Sequence, residues 1–182
     1  MIPKQTLIIA VTGPESTGKT TLVQALKEAL PNAHSVLEYA RMKMEQEGQV
    51  VAHSTGDVLD MMEGQWKAIQ TACQDAPSYL ITDTDDVMFW IWLKEVFGEI
   101  PERWCTLSQG FEPDFTLVCA PDVTWKYDPL RVNPHDRDRL FLLYELKLQE
   151  MNRPFAVVQG LGSQRLQNAL HALCTADIIL NV

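Results

Sequence analysis

At 182 residues, with 46% hydrophobic and 21% charged residues, the chain has the make-up of one folded domain, or one domain with a small lid, rather than of a disordered or fibrous protein. Its net charge of −9 argues against a nucleic-acid partner, because binding a phosphate backbone needs a basic face. Cys73, Cys105, Cys119 and Cys174 form neither a C-x-x-C pair nor a zinc-spaced set, so reduced, mostly buried thiols in a cytoplasmic protein are expected. No signal-like pattern opens the chain. The longest apolar run, Val87 to Leu93, is far too short to cross a bilayer, and no membrane role is expected.

Taken in order, Thr6 to Val11 is a short apolar run with the look of a buried parallel strand. It leads into Gly13-Pro14-Glu15-Ser16-Thr17-Gly18-Lys19-Thr20, which fits the phosphate-binding pattern G-x-x-x-x-G-K-[ST]. Thr21 to Leu30 then places apolar residues at helical spacing and is closed by Pro31-Asn32. Strand, glycine-rich loop and helix in that order is what holding a triphosphate requires, since successive backbone N–H groups and a helix N-terminus cradle the anion. The spacing therefore assigns Gly13 to Thr20, with Thr21, to ATP. Lys19 is expected to reach the β- and γ-phosphates and the Thr20 hydroxyl to hold Mg²⁺.

Ser35 to Tyr39 reads as a second strand that runs into Ala40-Arg41. Ligands of parallel α/β sheets lie beyond the carboxyl ends of the strands, which puts Glu38, Tyr39 and Arg41 where an acceptor would sit. A surface ion pair between Glu38 and Arg41 is the competing reading. Residues 42–53 show no clear period. Ser54-Thr55-Gly56-Asp57 looks like a helix start, followed by Val58, Met61, Met62, Trp66, Ile69 and Ala72 on one face and ended by Pro77. Trp66 is read as core.

Ser78 to Thr82 is an apolar strand that runs into Asp83-Thr84-Asp85-Asp86. A carboxylate there can orient Mg²⁺ or take the proton from an attacking hydroxyl, and Asp83, then Asp85, are the candidates. Asp86 is expected to cap the next helix. That helix, Val87 to Phe97, is apolar nearly all round, so it is buried or walls a pocket. A short helix is expected around Pro101 to Leu107, then a strand from Phe115 to Ala120.

Residues 121–139 mix three prolines with Trp125, Tyr127, Arg131, Arg137 and Arg139, and are read as a lid that closes over phosphates and neutralises charge. The alternative is a solvated loop whose arginines pair with Asp122, Asp128, Asp136 and Asp138. Leu140 to Met151 follows as an amphipathic helix, Pro154 to Gln159 as the last core strand, and Ser163 to Cys174 as the final helix. Ala176 to Leu180 could add an edge strand. The sum is an α/β protein: five parallel strands in a three-layer α/β/α sandwich, one nucleoside or nucleotide kinase-like domain with a lid.

Four pieces in this order resemble the NadR-type ribosylnicotinamide kinase domain: the phosphate loop, Glu38-Tyr39-Ala40-Arg41, Thr82-Asp83-Thr84-Asp85, and Pro121-Asp122-Val123-Thr124-Trp125 with Asp128-Pro129-Leu130-Arg131. The resemblance runs from the first strand to the final helix. It implies ATP-dependent phosphorylation of the 5′-hydroxyl of nicotinamide riboside. Full NadR proteins also carry a nucleotidyltransferase domain ahead of the kinase, which 182 residues do not hold, so adenylyl transfer is not implied.

On that footing Asp83 is the first choice for base or metal-orienting carboxylate, with Glu38 and Asp85 behind it. Arg131, Arg137 and Arg139 would come down on the transferring phosphoryl group. The acceptor ring is cationic, which makes Trp125 and Tyr39 candidate stacking partners and Asp128 a candidate for a ribose hydroxyl or the ring charge. Adenine is expected near the Gly160–Arg165 turn and the lid helix. A kinase for another nucleoside or a nucleotide is the runner-up, and a P-loop ATPase or switch acting on a protein partner is the alternative class. No N-K-x-D occurs, which disfavours a GTPase, and nothing in the sequence indicates an oligomeric state.

Overall fold

Strands covered on both faces must be apolar along their length, as the runs at 8–11, 80–81 and 115–119 largely are. The computed structural model describes residues 6–46, 54–125 and 136–179. Within them the strands are β1 (Leu7–Thr12), β2 (Ala33–Val36), β3 (Tyr79–Asp83), β4 (Phe115–Cys119) and β5 (Phe155–Val158). The helices are α1 (Lys19–Ala29), α2 (Tyr39–Gln46), α3 (Thr55–Cys73), α4 (Asp86–Trp92), α5 (Glu102–Gln109), α6 (Arg137–Glu150) and α7 (Ser163–Thr175).

The strands form one sheet in the order β2-β3-β1-β4-β5, and every pairing is parallel. The period of two sends alternate residues to opposite layers. Ile9, Val11, Ile81, Leu117 and Cys119 meet Leu22, Val23 and Leu26 of α1 and Ala169 and Leu173 of α7. On the other face Val118 meets Leu140, Tyr144 and Leu148 of α6 together with Val87 and Ile91 of α4, while Leu80 meets Ile69 of α3. Each such side chain contributes about 1.5–3 kcal/mol by leaving water. The result is the expected three-layer α/β/α sandwich.

The strand order positions the site. From β1 the chain crosses to the edge strand β2, returns to β3 between them, and only then passes to β4 on the far side. This reversal opens a crevice above the carboxyl end of β1, where ligands of such sheets bind. Its register sets Val11 beside Asp83, so the phosphate loop and the acid-bearing strand end leave the sheet side by side.

Several boundaries differ from expectation. β2 ends at Val36, and Tyr39 opens a helix instead of closing a strand. Leu37 had the look of a further strand residue, yet it is 51% exposed. α2 also gives residues 42–46 a structure that no period had announced; 47–53 lie outside the described residues. The apolar stretch after β3 is α-helical only to Trp92 and then makes a π-helical turn, Leu93–Phe97, ended by Gly98 with φ +74°. Residues 176–179 form a turn rather than an edge strand: the Leu173 carbonyl accepts from Ile178, and Ile179 packs into the α1–α7 layer.

Caps follow local chemistry. Ser54 and Asp57 make a reciprocal capping box at the start of α3. The cap of α4 is Asp85, which accepts from the Met88 N–H, and not Asp86. Asp86 is instead buried and receives the Arg153 guanidinium through both oxygens, with the Ser108 hydroxyl alongside. This pair clamps α4 and α5 to the entry of β5, and removing one partner of such a buried pair costs about 3–5 kcal/mol. Of the four thiols only Cys119 is buried; Cys73 and Cys174 are half-buried and Cys105 is exposed, and all four are unbridged. Trp66 is half-buried and meets Phe111 edge-on.

Candidate active site

The phosphate loop needs glycine where it bends. Gly13 sits at φ +132°, and a Cβ there would lie 2.7 Å from the Cys119 carbonyl oxygen of β4. Gly18, at φ +80°, starts α1. Between them the Thr17 hydroxyl donates to the Pro14 carbonyl at 2.9 Å, which fixes the loop as a closed turn. Lys19 folds back over it, Nζ donating to the Gly13 and Pro14 carbonyls at 3.0 and 2.9 Å.

Across the crevice the Thr20 hydroxyl donates to Asp83 Oδ2 at 2.5 Å. Asp83 is almost fully buried and its Oδ1 has no protein partner. Burial pushes the carboxyl up, against the pull of Lys19, the Thr20 hydroxyl and Arg41. A carboxylate poised in this way, beside a hydroxyl and within reach of an ammonium, suits proton uptake or metal orientation. Among the described residues no three His, Cys, Asp or Glu side chains gather into a metal-ligating group, here or elsewhere.

Asp85 has a different place from the one expected. It is fully buried, accepts from Thr12 Oγ1 at 2.9 Å as well as from Met88, and serves the cap of α4. The Tyr144 phenol of α6 sits against the same Thr12 hydroxyl. Burial, with the neighbouring Asp86 charge, pushes the Asp85 carboxyl up to about 7. Its folded value therefore lies above its unfolded one, so this group favours the fold at low pH and withdraws that support as pH rises towards 7. Asp85→Asn keeps an acceptor for Thr12 and Met88 and removes the titration. The variant's melting temperature should converge with the wild type's below about pH 4 and exceed it by on the order of 10 °C at pH 8. Parallel curves would show that Asp85 does not titrate in this range.

The remaining candidates divide. Arg137 is brought to the loop: it donates to the Ser16 carbonyl at 3.3 Å and the Val123 carbonyl at 2.9 Å, with its guanidinium 5.8 Å from the centre of the Trp125 ring. Arg139 is not. It is exposed and bound to Glu95 and Asp136. Arg131 and Asp128 lie outside the described residues, as does most of the expected lid. Glu38 stands immediately before α2, half-buried, and its charge is felt at Tyr144. Arg41 binds Glu45 one turn along α2 at 2.9 Å and still acts on Asp83 through space. Tyr39 packs its ring on Gly64 of α3, where a Cβ would come within 2.2 Å of it.

Two features had no local signal in the sequence. Arg165 of α7 is buried and donates to the carbonyls of Thr17, Gly160 and Ala120 and to Asp122, joining the phosphate loop to the ends of β4 and β5. It also lines a cavity of about 150 Å³ with Gly18, Thr21, Val123, Leu161 and Leu166, at the Gly160–Arg165 turn where adenine was expected. Leu161 is 60% exposed at its lip. The second feature is Gln65 of α3, buried between the Tyr39 N–H and the Thr82 hydroxyl. Among the described residues no helix is long and apolar enough to cross a membrane.

Comparison with known proteins agrees with this fold. A family model described as an AAA domain matches residues 8–165. No curated protein matches the sequence. Among solved structures the chain is similar to NadR protein in complex with NAD and AMP-PNP, with a TM-score of 0.80 and 21% identity, over 97% of this chain and 51% of that one. A second NadR structure, in complex with NR, gives 0.79 and 22% over 94% and 51%. Thymidylate kinase from Ehrlichia chaffeensis gives 0.66 and 12% over 92% and 98%. The chain thus spans about half the length of the NadR chains, and at these identities the likeness shows a shared fold. With the family model covering most of its length and the phosphate loop at the switch point of a parallel sheet, this chain belongs to the AAA domain family of P-loop proteins.

Proposed function

We propose that this protein is an ATP-dependent kinase that phosphorylates the 5′-hydroxyl of nicotinamide riboside, giving nicotinamide mononucleotide. The observation that carries the kinase reading is the meeting of Lys19, Thr20 and Asp83 at the crevice beside β1, with one buried Asp83 oxygen still unpartnered. The residues fit Mg²⁺, which takes one or two protein oxygens and leaves its other positions to phosphate and water. Thr20 and Asp83 would hold it, and when bound it supplies charge neutralisation at the β- and γ-phosphates.

The remaining roles are proposed for residues of the loop, the end of β3 and the segment that follows β4. Lys19, now on the Gly13 and Pro14 carbonyls, has a flexible stem and turns to the phosphates with the loop amides. Asp83, its carboxyl raised by burial, accepts the proton of the attacking hydroxyl or orients it. Arg137 stands at the loop's Ser16 carbonyl, from which it can reach a transferring phosphoryl group. Arg131 is proposed to join it and Asp128 to meet the nucleoside. The cavity beside Leu161 and Arg165 is the proposed adenine site. For the acceptor, support comes from the Glu38-Tyr39-Ala40-Arg41 and Pro121-to-Trp125 pieces and from the fold shared with a NadR solved with NR.

Phosphorus NMR on the products of ATP, Mg²⁺ and candidate acceptors tests the substrate. Nicotinamide riboside should give a 5′-phosphomonoester, and uridine, adenosine, thymidine and their monophosphates far less. A product from one of those alone would keep the phosphate site and reassign the acceptor. Trp125→Ala should raise the nucleoside KM at least about fivefold and the ATP KM less than threefold, from loss of about 1–3 kcal/mol of stacking. Equal rises in both would mean that Trp125 serves to hold Arg137 on the loop instead.

A further inference from the structure

We propose that Gln65, in the middle of α3, is a positioning residue that ties the start of α2 to the carboxylate-bearing end of β3. Calling α2 the acceptor side rests on the kinase reading above. The bonds themselves permit one polarity. The Tyr39 main-chain N–H can only donate, so Gln65 must turn Oε1 to it, at 2.7 Å. Its Nε2 then donates to the Thr82 hydroxyl at 3.0 Å, which leaves Thr82 to donate to the Thr84 carbonyl at 3.2 Å. Gln65, Thr82 and Thr84 all have zero exposure. An amide buried beside Met61, Met62 and Ile69 is costly unless it is bonded, and an apolar residue of the same size would pack there equally well.

The far end of this relay holds an unusual backbone. Thr84 has φ +117°, a region that β-branched residues avoid. Such strain persists only where the surroundings over-determine it. Here the Thr84 carbonyl is held by the Thr82 hydroxyl and the Thr84 N–H by the Val11 carbonyl at 3.0 Å. Asp83, Thr84 and Asp85 each keep one buried oxygen without a protein partner, so this strained turn is aimed for something other than its own packing. The near end of the relay is a first-turn N–H of α2, with Glu38 directly before it and Arg41 one half-turn on. Beyond the β2–β3 pairing that sets Val36 beside Thr82, Gln65 is thus a side-chain tie on the spacing between Glu38, Arg41 and Asp83, and a displacement of about 1 Å between reacting groups can cost about 10²-fold in rate.

The test compares Gln65→Met and Gln65→Glu with the wild type. The methionine variant loses both bonds and should lower kcat/KM for the acceptor at least tenfold, with the ATP KM and the affinity for a non-hydrolysable ATP analogue within threefold. The glutamate variant, which still offers an oxygen to the Tyr39 N–H, should fall between. If the methionine variant does not fold, the same split in the glutamate variant decides. Both constants moving together, or neither moving, would overturn the proposal. Should the wild type phosphorylate no acceptor, the kinase reading fails and the relay is judged by amide exchange alone. Exchange at Tyr39 at least tenfold faster in the methionine variant would support it, and unchanged exchange would overturn it.

Discussion

Lys19→Ala should lower turnover by about 10²–10³-fold or more, the loss found when one preorganised donor to developing charge is removed. The fold should survive. Lys19 is half-exposed, and its two bonds to the Gly13 and Pro14 carbonyls are not what shapes the loop. That shape rests on the Thr17 hydroxyl bonded to Pro14, on Arg165 bonded to the Thr17 carbonyl, and on Gly13 pressed against the end of β4. The melting temperature should therefore fall by no more than a few degrees, since each exposed bond contributes about 1 kcal/mol. Turnover within tenfold of the wild type, in a variant of unchanged stability, would remove Lys19 from the chemistry.

Asp83→Asn separates chemistry from stability more sharply. Loss of a positioned base costs about 10²–10⁴-fold, and loss of the metal-orienting charge acts in the same direction. The amide still accepts from Thr20 Oγ1, so the crevice keeps its shape. ATP-analogue affinity should stay within a few-fold, because the loop amides and Lys19 are untouched. The stability effect has the opposite sign. The Asp83 carboxyl is raised by burial, so its folded value exceeds its unfolded one and it subtracts stability as pH rises. A neutral amide avoids that cost, and the variant's melting temperature should converge with the wild type's below about pH 4 and lie above it at pH 8. A variant that is both active and less stable would show that Asp83 is a structural acid.

Residues whose meaning is local were legible in the sequence. The glycine spacing and the strand before it define the loop from Gly13 to Thr20 within one stretch, and Asp83 is marked by an apolar strand that ends on an acid. What was hidden depends on partners far along the chain. Asp86 meets Arg153 across 67 residues, Arg139 meets Glu95 across 44, and Arg165 meets Thr17 across 148, so no window of sequence shows them. The exchange of roles between Asp85 and Asp86 turns on where α4 begins, a shift of one residue among three acids. Gln65 carries no signal of its own in the sequence, and only the approach of Tyr39 and Thr82 gives it a task. Leu37 and Ile178 misled through their apolarity: one stands exposed before α2, the other packs in a turn.

The central claim is that phosphate leaves ATP at this loop for a nucleoside hydroxyl. The most direct measurement is ADP release from ATP and Mg²⁺, with and without nicotinamide riboside, in the wild type and in Lys19→Ala. Release that requires the acceptor and is lost with Lys19 is the predicted result. Slow release that no acceptor alters would contradict it and point to an ATPase or switch on the same fold.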